Sequence, residues 1–199
     1  MKWVERRSFA AATLVAACAA SPAGATMLVR AELEELVADN HTIVVGEVRD
    51  VRSYWNKDRT FILSDVRVAA REVVKGDPKE KEITVTLMGG TVGERTVLIV
   101  AGPELIPGRS YVLFLDRGNL PGAPAVRFLR DHAQGVFDVV GSGNDRRAVN
   151  QASRHPLVSD ALGRTDAPGG PQGLPLEALI GSIQQIAARQ AGRSGEVPR

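Results

Sequence analysis

The chain has 199 residues, 44% of them hydrophobic and 24% charged, with 25 basic against 23 acidic side chains. That composition is ordinary for a globular protein and excludes collagen-like, wholly disordered and polytopic membrane classes. The length suits one compact domain with tails, and no basic stripe is long enough to track a phosphate backbone, so nucleic acid is not an expected partner.

Residues 1–25 read as an export signal. Lys2, Arg6 and Arg7 form a positive segment, Phe9 to Ala20 a short apolar run, and Ala23-Gly24-Ala25 an A-x-A cleavage site before Thr26. The apolar run is too short for a permanent membrane anchor. Removal after Ala25 leaves equal numbers of basic and acidic side chains and no transmembrane segment. Val15-Ala16-Ala17-Cys18 offers a second processing site, at which an acylated Cys18 would tether the domain to a membrane. Cleavage at the A-x-A site is the expected processing, with lipidation at Cys18 the alternative. Cys18 is the sole cysteine, so a chain starting at Thr26 has no disulfide, thiolate metal site or cysteine nucleophile. The expected location is the periplasm or the extracellular space.

A short helix comes first, with Val29, Leu33, Leu36 and Val37 on one stripe and Asn40 as its left-handed stop. Thr42 to Arg52 is a strand whose alternation changes phase around Gly46, as a bulge requires. After the polar turn Asn56-Lys57-Asp58-Arg59, the strand Thr60 to Val74 places Ile62, Ser64, Val66, Val68 and Ala70 on one face. Ile83, Val85 and Leu87 alternate with Thr84 and Thr86 until Gly89-Gly90 breaks the run. Further strands are expected at Thr96 to Val100, Tyr111 to Leu115, Val126 to Leu129 and Val136 to Val140.

No helix intervenes to make a parallel crossover, so the class is mainly β: a small OB-like Greek-key barrel over residues 26–140. A two-sheet sandwich is the other architecture of this pattern. Residues 141–173, rich in Gly, Pro, Asn, Asp and Arg, read as a flexible linker. Residues 174–190 follow as an amphipathic helix with Leu176, Leu179, Ile180, Ile183 and Ile186 on one stripe, expected to pack on the barrel. Residues 191–199 read as a disordered tail. There is no internal repeat.

Chemistry is thinly marked. His41, His132 and His155 show no metal-ligand spacing, and His155 sits beside Pro156 in the linker. Asp131-His132 is the one pair able to supply a base or two ligands on a loop, and carries the alternative reading of a secreted hydrolase or metal-dependent enzyme. No G-x-S-x-G occurs, and Gly89-Gly90-Thr91-Val92-Gly93 lacks the ending of a phosphate loop. Asp50, Asp58 and Asp65 form no evident acid–base pair. Asn40-His41-Thr42 matches a glycosylation sequon, although Asn40 also serves as a helix stop. Tyr54 and Trp55, at the end of the first strand, are the candidate binding residues, since exposed aromatics stack on ligands or anchor partners. Filling the barrel mouth against Phe61 is their structural alternative.

Several segments together carry a resemblance: Leu33 to Val37 running into Ile43 to Val48, then Val73 to Asp77, Ile83 to Val85 with Gly89-Gly90, Pro107 to Leu115, and Gln134 to Phe137. The pattern resembles uncharacterised exported bacterial proteins whose domain is similar to the OB-type barrel of tissue inhibitors of metalloproteinases and netrin modules. The likeness covers roughly residues 27–140 and implies a fold and no activity. Those inhibitors chelate zinc with a disulfide-clamped N-terminal cysteine. Here Thr26 and Met27 stand at the expected terminus with no cysteine to clamp them, so the Thr26 α-amine is the one group left for zinc by that route and nothing in the sequence pre-organises it. The function expected is an exported, non-enzymatic binding module for a protein or polymer of the cell envelope, with protease regulation as one version and no cofactor. Ligand and oligomeric state are left open.

Overall fold

The computed structural model describes residues 31–130, 132–154 and 172–194. The chain is mainly β, with one large antiparallel sheet and two α-helices. Helix α1 (Leu33–Asp39) is followed by β1 (Thr42–Trp55), β2 (Ile62–Lys75), β3 (Glu82–Met88), the short hairpin β4 (Gly90–Val92) and β5 (Arg95–Val97), then β6 (Ser110–Leu120) and β7 (Ala123–Phe128). Strands β8 (Val136–Val140), β9 (Arg147–Asn150) and β10 (Leu174–Pro175) lead into α2 (Leu176–Ser194).

The strand order is β10-β9-β8-β6-β1-β2-β3, with β7 paired to β6 beyond the reach of β8. The two 14-residue strands β1 and β2 pair along nearly their whole length. Register shifts at Ile43/Val44, Val45/Gly46 and Val48/Asp50 explain the changes of phase in the sequence and let the pair curl. Gly46 is required at that bend, because a Cβ there would lie 2.5 Å from Val68 Cγ1 and 2.8 Å from the Ala69 carbonyl.

The expected barrel is not closed. Strands β3 and β7 lie alongside one another but do not form a ladder. Strand β7 is badly placed to offer one: Pro124 has no N–H, Ala125 sits at φ 55°, and the Ala125 N–H is donated back to Asn119 Oδ1 at 2.9 Å. Side chains bridge the seam instead, with Arg127 paired to Glu80 at 2.8 Å.

Both faces of the sheet are apolar. Val44, Val48, Val66, Val68, Ile83, Val85, Leu113 and Leu115 fill the inside of the curl. The opposite face, through Ile43, Val45, Val112, Phe114 and Phe137, is covered by Leu36 and Val37 of α1 and by Leu176, Leu179, Ile180, Ile183 and Ile186 of α2. The two helices also meet, Gln190 Nε2 donating to the Glu34 carbonyl at 2.9 Å.

Three local expectations are corrected. Asn40 is extended (φ −103°, ψ 130°) rather than left-handed; it stops α1 through its buried side chain, Nδ2 donating to the Leu36 carbonyl at 2.9 Å. The strand expected at Thr96 to Val100 ends at Val97, and Leu98 and Val100 stand exposed in the following loop, because β5 has only the three-residue β4 to pair with. The segment 141–173 is not a linker throughout. Residues 147–150 are β9, which buries Ala148, Val149 and Asn150 by adding to the free edge of β8. Residues 155–171 of that segment lie outside the described residues.

Candidate functional site

Tyr54 and Trp55 end β1 opposite Leu63 and Ile62 of β2. As neighbours on a strand they project to different surroundings, and the structure does not bring them together. Tyr54 Oη donates to Asp65 Oδ1 at 3.1 Å, and Thr86 Oγ1 donates to the same oxygen at 2.8 Å. Burial, and then the Asp65 carboxylate, push the Tyr54 phenol above its usual range. Together with Thr84, Arg117 and Arg127 these residues line an open cleft of about 590 Å³ at the β3–β7 seam. Trp55 turns toward β5, where the Arg95 guanidinium lies 6.0 Å from its ring centroid, at the outer limit of a cation–π contact. Phe61 is partly exposed.

A second cavity, of about 420 Å³, continues along the same seam, with Thr86 in the lining of both. Its wall is apolar: Leu87 and Met88 from the end of β3, Val97, Leu98 and Ile99 beyond the hairpin, and Leu120, Phe128 and Leu129 across the seam. The floor is fixed by hydrogen bonds, Ser64 Oγ donating to the Gly89 carbonyl at 2.7 Å and Ser53 Oγ meeting Ser64 Oγ at 2.8 Å. Leu98 stands at its edge 86% exposed. A cavity of this size and polarity is of the kind that takes a small apolar group or an anchoring side chain.

Arg130 and His132 stand in the same lining. His132 is exposed and held at φ 51°, a conformation that costs energy in a residue with a Cβ. Asp131, its expected partner, lies outside the described residues, as do Cys18, Ala25, Thr26 and His155. Arg130 is paired with Asp116.

Asp116 is the site residue that sequence reasoning missed. It is 1% exposed on β6, and its carboxylate accepts from Arg130 Nε at 2.8 Å, from Arg130 Nη2, and from His41, whose Nδ1 is 2.5 Å away. Burial opposes its ionisation, but the hydrogen bonds from Arg130, the Arg117 backbone and His41 outweigh it and hold the carboxyl below its ordinary range. A signal was present: a carboxylate directly following the apolar run Val112 to Leu115 must find charged partners if the strand is buried. Its partners lie 75 and 14 residues away, where spacing gives no guide.

Among the described residues, no group of three or more His, Cys, Asp or Glu side chains converges as a metal site would require. No helix of the described residues is long and apolar enough to cross a membrane. No protein-family model matches the chain, and no curated protein matches it.

Proposed function

We propose that this is an exported, non-enzymatic binding module on an OB-like β domain, which takes an apolar group of a protein or polymer partner of the cell envelope into the seam cavity. Export proceeds by removal of residues 1–25, so that the domain acts outside the cytoplasm. The observation that carries the binding reading is the apolar cavity between the β4–β5 hairpin and β7, with Leu98 standing free at its lip. An exposed leucine beside an apolar cavity, in a loop bounded by β-structure, is an arrangement that a partner's side chain completes. Tyr54, Asp65 and the arginines farther along the seam give such a partner a polar neighbour to pair with. A protease-regulatory role is the version of this reading that the fold resemblance suggests.

The test is site-specific photo-crosslinking in intact envelopes of an exporting host. A photoreactive residue at position 98 is expected to give a discrete adduct that Phe128→Ala weakens. The same probe at exposed Glu82, away from the cavity, should not give it. Equal labelling from both positions would refute the assignment.

A further inference from the structure

On another part of the surface, three arginines from three separate elements surround one open cavity of about 650 Å³. Arg71 comes from β2, Arg109 from the turn before β6, and Arg146 from the turn between β8 and β9. We propose that this cavity is a binding site for a phosphomonoester carried on a small, partly apolar carbon skeleton.

The backbone holds two of the three positions firmly, those of Arg109 and Arg146. Gly108 takes φ 82° and donates its N–H to the Val48 carbonyl at 2.8 Å, while the Arg109 carbonyl accepts from the Val48 N–H at 2.9 Å. The turn that carries Arg109 is thereby clamped to β1. The turn after β8 is equally tight: Gly141 takes φ 84°, and a Cβ there would lie 2.6 Å from the Asp145 carbonyl. Arg146 is fixed in turn by its carbonyl, which accepts from the Leu176 N–H at 2.9 Å. Pre-set positions lower the cost of ordering long side chains around a ligand.

Charge decides the ligand class. The lining includes three arginines and one aspartate, Asp138, whose carboxylate accepts from Gln151 Nε2 at 3.0 Å. Arg71 pairs with Glu47, but Glu47 is shared with Arg49 at 2.7 Å. Arg146 pairs with Glu177 at 3.0 Å, both ends well exposed, and such surface pairs contribute little. Arg109 has no acidic partner among the described residues. With Arg49 added to the cations and Glu47 and Glu177 to the anions, these side chains together carry one net positive charge. A phosphomonoester is close to dianionic near neutral pH and offers three oxygens to several guanidiniums, whereas a carboxylate or sulfate ester brings one charge. Val45, Val139 and Val140 complete the lining and provide apolar contact for the carbon skeleton.

The experiment titrates the full chain with phenyl phosphate, phenyl sulfate and phenylacetate at pH 7.5, followed by ligand-observed NMR. Saturable binding of the phosphate is expected, with the sulfate and the carboxylate weaker by at least about fivefold. Arg109→Gln should weaken it about tenfold, and the triple variant Arg71→Gln, Arg109→Gln, Arg146→Gln should abolish it. All three side chains are exposed, so the variants should melt as the parent does; the single variant gives the answer if the triple one does not fold. No saturable binding, equal binding of the three probes, or binding unchanged in Arg109→Gln would each overturn the proposal.

Discussion

Replacing Asp116 with asparagine removes one negative charge from a buried point while keeping its shape. Three hydrogen bonds end on this carboxylate from His41 and Arg130, and each charge-assisted bond is worth about 1.5–3 kcal/mol where water is excluded. The full sum is not lost. The His41 and Arg130 side chains are 64% and 49% exposed, so water can take over the donors once the carboxylate is gone. The variant therefore falls short of the ~3–5 kcal/mol that follows when a buried charge is stranded. A loss of about 2–3 kcal/mol, or roughly 5–10 °C in melting temperature for a chain of this size, is the expected outcome at pH 7. Because its folded pKa is depressed, Asp116 contributes stability that is complete above its ordinary value near about 3.9 and is lost as pH falls through the lower, folded value. The gap between parent and Asp116→Asn in circular-dichroism melts should thus be full at pH 7 and shrink in acid. A variant melting within about 1 °C of the parent at pH 7, or a gap that widens on acidification, would refute the reasoning.

Two further substitutions probe the scaffold. Gly46→Ala forces a methyl against Val68 and the Ala69 carbonyl, and should destabilise by about 3 kcal/mol, the upper end for overpacking, since one obstacle is backbone; an unchanged urea midpoint would show that the strand crossing is not crowded. Ile183→Ala removes a fully buried side chain from under α2 and should cost about 2–5 kcal/mol in chemical denaturation, against less than about 0.5 kcal/mol for Gln184→Ala on the exposed side.

Strict alternation made the sheet's central strands legible. Ile83, Val85 and Leu87 against Thr84 and Thr86 require one buried face wherever the strand is placed, and the Leu176 to Ile186 stripe behaves in the same way for α2. Strand β9 was not legible, because four residues beginning with Arg147 have no period to read and are strand only through the edge of β8. The reverse error arose at Leu98 to Val100, whose apolar run has strand character but no partner. Closure of the sheet depends on whether two edges far apart in sequence can pair, and Pro124 with Ala125 decides that in three dimensions. Tyr54 and Trp55 stand out by residue type and position, but the sequence does not reveal that only Tyr54 reaches the seam while Trp55 turns toward Arg95. The cavity beside Leu98, the Asp116 cluster and the ring of arginines could not, since each gathers side chains from three or more elements.

One face of the core is assembled from the two extremes of the described fold: Leu36 and Val37 of α1 and the Leu176–Ile186 stripe of α2 close over the same patch of sheet. Until α2 has been synthesised, Ile43 and Val45 lack the part of their cover that α2 gives, and the contacts that supply it span well over a hundred residues. Such long-range contacts form late and slowly. The nascent chain therefore stays short of its native state through most of its synthesis, as a polypeptide must if it is threaded through a membrane pore in extended form. Truncation before Leu176 would leave a chain that can build the strands but cannot lock them.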